Sequence, residues 1–305
     1  MTRSALERAG LTVSPKEATH PAVIEAAHIA QYVLRTGPPA PERLARLGAM
    51  VDRARSDITA SSASALPWPD RLTAPGPHLE RSVARAVKSI PSPGGEPGTP
   101  HGSAVVGWRE HEEAVIRETA ALLAANWPGA YAELRQILLQ IALLDGPAID
   151  GFTDFTVHGA VFIRRSRLAP DPDGLPGAVR LAEALVHEGA HTRCNAASVA
   201  AQPFLRPLDD DGPMVPTPLR LDPRPLTGLF QQMVVLARSV LLYRHLLAGD
   251  TAGSSAAATV RARHGRLAFS AADAVRTMTE HRDMLTDHGR AVLEDTAEVA
   301  RVRVR

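Results

Sequence analysis

A chain of 305 residues is long enough to bury a large core, as one domain or two. Its formal charge of +1 balances Lys and Arg against Asp and Glu, and its aromatic content is 4%. Together these exclude a dedicated nucleic-acid surface with stacking platforms. The single cysteine, Cys194, excludes an intrachain disulfide. No signal-peptide core opens the chain and no window approaches the ~18 uninterrupted apolar residues of a membrane span, so a cytoplasmic protein with no membrane partner is expected.

In chain order, His20-Pro21 opens a helix that Gly37 closes, with Val23, Ile24, Ala27, Ala30 and Leu34 as its apolar stripe. Pro38, Pro39 and Pro41 separate it from a second helix carrying Leu44, Leu47, Val51, Ala54 and Ile58. Residues 59–77 read as loop, and Leu79, Val83, Ala86, Val87 and Ile90 mark a third helix. His20, His28 and His78 have no partner at ligand spacing and read as surface or packed imidazoles. Residues 91–100, rich in Pro and Gly, read as a linker that ends an N-terminal helical region over 1–103.

The next helix is expected over 108–126, where His111, Glu112 and Glu113 read as a charged helix start. Pro128 begins another, with Tyr131, Leu134, Ile137, Leu138, Ile141 and Leu144 along one side until Gly146-Pro147 breaks it. Residues 156–163 form the clearest strand, rich in β-branched and aromatic side chains. An exposed edge there would pair with an extended peptide, which makes His158, Gly159 and Ala160 candidate substrate contacts.

Ala184-Leu185-Val186-His187-Glu188-Gly189-Ala190-His191 then places an H-E-x-x-H pattern in an apolar frame of helical period. Positions i and i+4 share a helix face, so His187 and His191 can reach one metal ion at about 2.0–2.1 Å. Glu188 lies between them, placed to act on whatever the metal activates. Glu183, one turn earlier, reads equally as an acceptor for an imidazole N–H or as a solvated charge, and Cys194 as a small buried apolar residue. Residues 202–225 read as a long loop holding Asp209, Asp210 and Asp211 as a solvated turn. An apolar helix follows over 226–247, with Gln231 and Arg238 on roughly one face. The end of the chain reads as a helical packing cap over 250–305, leaving 104–249 as the metal-binding core.

The segment 185–191, followed some 30 residues later by Asp222-Pro223-Arg224-Pro225-Leu226-Thr227-Gly228-Leu229-Phe230-Gln231, resembles the HExxH-type peptide-modifying family of 2-oxoglutarate-dependent peptide β-hydroxylases. Residues 159–163 and 235–238 fit the same pattern, and the likeness covers about 105–248. The resemblance implies Fe(II) held by His187 and His191, with Gln231 where the pattern has His or Gln as a third ligand. It implies 2-oxoglutarate as cosubstrate, with Arg224 or Arg238 clamping its distal carboxylate, and a ribosomally made precursor peptide as the partner to be modified.

Two mechanisms share this site. In the oxygenase, two histidines and one further group leave positions open for 2-oxoglutarate and O₂, and Glu188 orients a ligand or water. In the alternative, a zinc metallopeptidase, Zn²⁺-bound water loses its proton to Glu188 and attacks a peptide carbonyl. Hydrolysis wants a third strong ligand, yet position 194 is Cys, position 197 is Ala, and 226–247 lacks a Glu-x-x-x-Asp pattern. A non-enzymatic binding protein is a third reading. The fold expected is α+β, predominantly helical, with a small sheet packed beside the metal helix.

Overall fold

The computed structural model describes residues 2–37, 40–61, 75–90, 102–200, 202–207, 212–249 and 256–303. The chain is predominantly helical α+β, with one mixed four-stranded sheet and one two-stranded sheet among the described residues. It divides into two compact units, residues 1–114 with 135–166 and residues 115–134 with 167–305. These do not follow the expected boundaries at 103 and 249. The short strand at 104–106 joins the sheet of the first unit, and the C-terminal helices belong with the helix that carries the histidines. The proposed linker at 91–100 and the acidic turn at 209–211 lie outside the described residues.

The first unit holds helices α1 (Thr2–Arg8), α2 (Pro21–Arg35), α3 (Pro41–Ser61) and α4 (Pro77–Ser89). Its strands are β1 (Ala104–Val106), β2 (Gln140–Asp145), β3 (Gly151–Thr153) and β4 (Ala160–Arg164), in the order β1-β2-β4-β3. The central pair, β2 and β4, is parallel with Gln140 opposite Ala160, and the outer strands pair antiparallel to them. Pro21 and Pro77 stand in the first turns of α2 and α4, where a missing N–H costs nothing. Leu79 and Val83 of α4 pack on Ala142, Leu144 and Phe162. The Glu25 carboxylate, buried on α2, pairs with Arg81 at 2.5 Å and Arg85 at 3.0 Å of α4. His20 and His78 are packed imidazoles, joined through the Gln140 amide.

Two expectations change in this unit. The helix expected to run on to Leu144 ends at Ile137 as α6 (Pro128–Ile137), and the apolar run after it is β2. A run buried on both faces shows no alternation, so its period does not distinguish strand from helix. The strand expected over 156–163 is a 3₁₀ turn at Phe155–Val157 followed by β4.

The second unit contains α5 (Glu110–Asn126) from Val115 onward, most of α6, α7 (Gly177–Ala200), α8 (Leu226–Ala248), α9 (Ala257–Glu280) and α10 (Asp287–Ala300). The stretch expected as a loop up to 225 contains a hairpin, β5 (Met214–Thr217) paired with β6 (Arg220–Pro225). Its prolines sit in a two-stranded ribbon with a register irregularity between Val215 and Thr217. Helix α8 is long and apolar enough to cross a membrane by length and composition alone. Most of it is buried, however, against α7, α9 and α10, as the central helix of this unit.

Candidate metal centre

Helix α7 begins where Gly177 lies against the backbone at Leu168: a Cβ on Gly177 would stand 2.1 Å from the Leu168 carbonyl oxygen. From there Val179, Leu181, Ala182, Leu185, Val186 and Ala190 are buried, as the apolar period requires. Glu183 is neither solvated nor bonded to an imidazole. It is 5% exposed, is ion-paired with Arg263 of α9, and accepts the Tyr243 hydroxyl of α8 at 2.5 Å. Burial pulls its carboxyl upward, but the Arg263 hydrogen bond and charge, then Tyr243, more than offset this and hold it below the usual range. Three helices are thereby fixed around one carboxylate, one turn before His187.

His187 and His191 lie one turn apart on α7. Their ring centroids are 5.2 Å apart with planes inclined at 62°, and both rings are half-buried. Burial, then the neighbouring His191, pushes His187 down to about 3. His191 is also lowered by burial, against the Gln231 hydrogen bond. Both imidazoles are therefore neutral, the form that offers a lone pair to a metal. Glu188 is 5% exposed, its carboxylate enclosed on the helix that carries both rings.

The structure brings Gln231 to this site, but as a hydrogen-bond partner of an imidazole. Its Oε1 lies 2.8 Å from His191 Nδ1, and its Nε2 donates to Asn195 Oδ1 at 3.3 Å. The bond to Asn195 orients the amide, so the oxygen faces the ring and accepts from Nδ1–H. His191 then carries its proton on Nδ1 and its lone pair on Nε2. This is how a partner behind the ligand sets which nitrogen binds metal. Asn195 was missed in the sequence although it follows His191 at i+4, on the same stripe.

The remaining candidates are elsewhere. Arg238 is ion-paired with Glu133 of α6 at 2.9 Å and lies 4.7 Å from the Trp127 ring centroid. Arg224, on β6, pairs at 2.9 Å with Asp222, and its Nε is buried with no hydrogen-bond partner among the described residues. His158, Gly159 and Ala160 belong to the first unit. His158 is half-buried and lowered by burial, then by His28. The Gly159 carbonyl accepts from Leu139 and Gln140 at 2.8 and 3.0 Å. Ala160 opens β4, whose two edges are taken by β2 and β3, so an extended peptide cannot add there. Cys194 is buried, and burial pushes its thiol up to about 11, in keeping with a small apolar role.

Among the described residues, no group of three His, Cys, Asp or Glu is placed to hold a metal ion. Two neutral imidazoles with available lone pairs fit a first-row divalent metal that keeps open positions, and do not fit a closed four-ligand structural site. The chain matches no protein-family model, and no curated protein matches its sequence.

Proposed function

We propose that the chain is an Fe(II)- and 2-oxoglutarate-dependent oxygenase that β-hydroxylates side chains of a ribosomally made peptide. The observation supporting this is the pair of neutral imidazoles on α7, one of them aimed by an amide. A hydrolytic zinc centre usually grips its metal through three protein ligands. An iron centre held by two histidines and one further group keeps positions open for a bidentate cosubstrate and dioxygen. Bound iron would supply, with 2-oxoglutarate and O₂, an oxidant able to take hydrogen from a side-chain carbon, releasing succinate and CO₂.

The chain's own part is to hold and to orient. His187 and His191 hold the metal, and Gln231 with Asn195 keeps the His191 lone pair on Nε2. Glu188, enclosed beside them, positions a ligand or water. Arg224 is the better clamp for the distal carboxylate, because Arg238 lines a separate cavity that includes neither His187 nor His191. Incubating the chain with Fe(II) and 2-oxoglutarate should release succinate slowly without peptide and faster with a modifiable one. That release should vanish in His187→Ala and His191→Ala. Peptide cleavage with Zn²⁺ alone, lost in Glu188→Gln, would replace this reading with the metallopeptidase.

A further inference from the structure

Beside the metal face, the second unit contains a cavity of about 350 Å³ between α7, α8 and α10. Its wall is mostly apolar: Cys194, Phe204, Val234, Leu241, Val292 and Val299. Neither His187, His191 nor Gln231 lines it. Two cations do, Arg193 of α7 and Arg238 of α8. Both reach one carboxylate: Glu133 Oε2 lies 3.2 Å from Arg193 and Oε1 2.9 Å from Arg238. One negative charge thus serves two guanidinium groups. Asp295, exposed on α10, also lines the cavity but makes no ion pair with either among the described residues. Arg238 Nε is moreover buried with no hydrogen-bond partner among the described residues.

We propose that this cavity binds a small organic acid with an apolar tail, its carboxylate held by Arg193 and Arg238 and its tail lying among Phe204, Leu241 and Val292. The volume is within the range of small-ligand sites, which pair an apolar wall with a few converging polar groups. Two guanidinium groups share the one Glu133 carboxylate, and a bound carboxylate adds a second acceptor in the geometry that guanidinium accepts. The apolar wall selects against a compact polar acid such as 2-oxoglutarate. The assignment stands on this cavity alone and does not depend on a metal.

Decanoate titrated into the metal-free full-length chain by calorimetry tests it. We expect a dissociation constant of about 0.1 mM or tighter, and slower alkylation of Cys194, the only thiol, when decanoate is present. Leu241→Trp, which fills the cavity, and Arg193→Gln, at an exposed position, should each weaken binding about tenfold or more while metal affinity is unchanged. Decanol binding as tightly as decanoate would remove the role of the arginines, and 2-oxoglutarate binding as tightly would give the cavity to the cosubstrate. A dimer that Leu241→Trp dissolves would give it to a second copy of the chain. Each of these, or no binding of decanoate, overturns the proposal.

Discussion

One amide decides which nitrogen of His191 keeps its lone pair. If Gln231 acts as described, Gln231→Leu should lower Co²⁺ or Zn²⁺ affinity about 10- to 100-fold, the usual cost of removing a group that orients a metal-binding imidazole. Gln231→Glu should retain or raise affinity, because a carboxylate accepts from the same Nδ1–H. Titration of the apo protein reads both, and nitrogen NMR of His191 should show the proton on Nδ1; an Nε2–H tautomer would refute the orienting role. The two histidines were legible in the sequence because i and i+4 spacing is a backbone property, independent of partners. The use of Gln231 was not. A residue 40 positions away is brought in only by the packing of α8 on α7, and pattern alone does not separate a ligand from the group behind it.

Helix α7 is held at two places, and each gives a prediction. Gly177→Ala drives a Cβ into the Leu168 carbonyl, a backbone atom that cannot rotate away. It should cost about 1–3 kcal/mol in chemical denaturation, in the range of overpacked sites. Further along, Tyr243→Phe removes one hydrogen bond from buried Glu183 and should cost about 1 kcal/mol. Arg263→Met strands that carboxylate and should cost about 3 kcal/mol or more. Adding Glu183→Gln to Arg263→Met should recover much of the loss in a double-mutant cycle. At this scale the helices with a clear apolar stripe or a proline at the start, α2, α3, α4, α7 and α8, were readable in advance. The apolar run into β2 was not, since a strand enclosed on both faces lacks the alternation that identifies one. Neither was the β5–β6 hairpin, where prolines mask a ribbon that tolerates them.

Across the whole molecule, several buried groups have depressed folded-state pKa values, and their signs agree. Burial holds His78 below the ordinary imidazole value of 6.5, so its contribution is present above that pH and lost as pH falls toward its folded value. Asp154, raised by burial but lowered further by Thr156, Ser82 and Arg85, sits below 3.8, and Glu183 sits below 4.5. Both contribute above those values and cease to do so below them. Unfolding free energy measured in urea should therefore be greatest near pH 7 to 8, decline below 6.5 as His78, His187 and His191 gain protons on unfolding, and fall further below 4.5. Stability that rises on acidification from pH 6.5 to 4 would contradict this. The division into two units was not visible in the sequence, because residues 115–134 and 135–166 are exchanged between them relative to chain order. The sheet of the first unit has a last consequence. Its most apolar strands, β2 and β4, are interior, and its rims, β1 and β3, are three residues long. So little free rim gives a neighbouring molecule almost nothing to template on, which guards the folded chain against aggregation. The guard is only as durable as β1: once it peels away, the strand Gln140–Asp145 is uncovered, and clumping on heating should begin there.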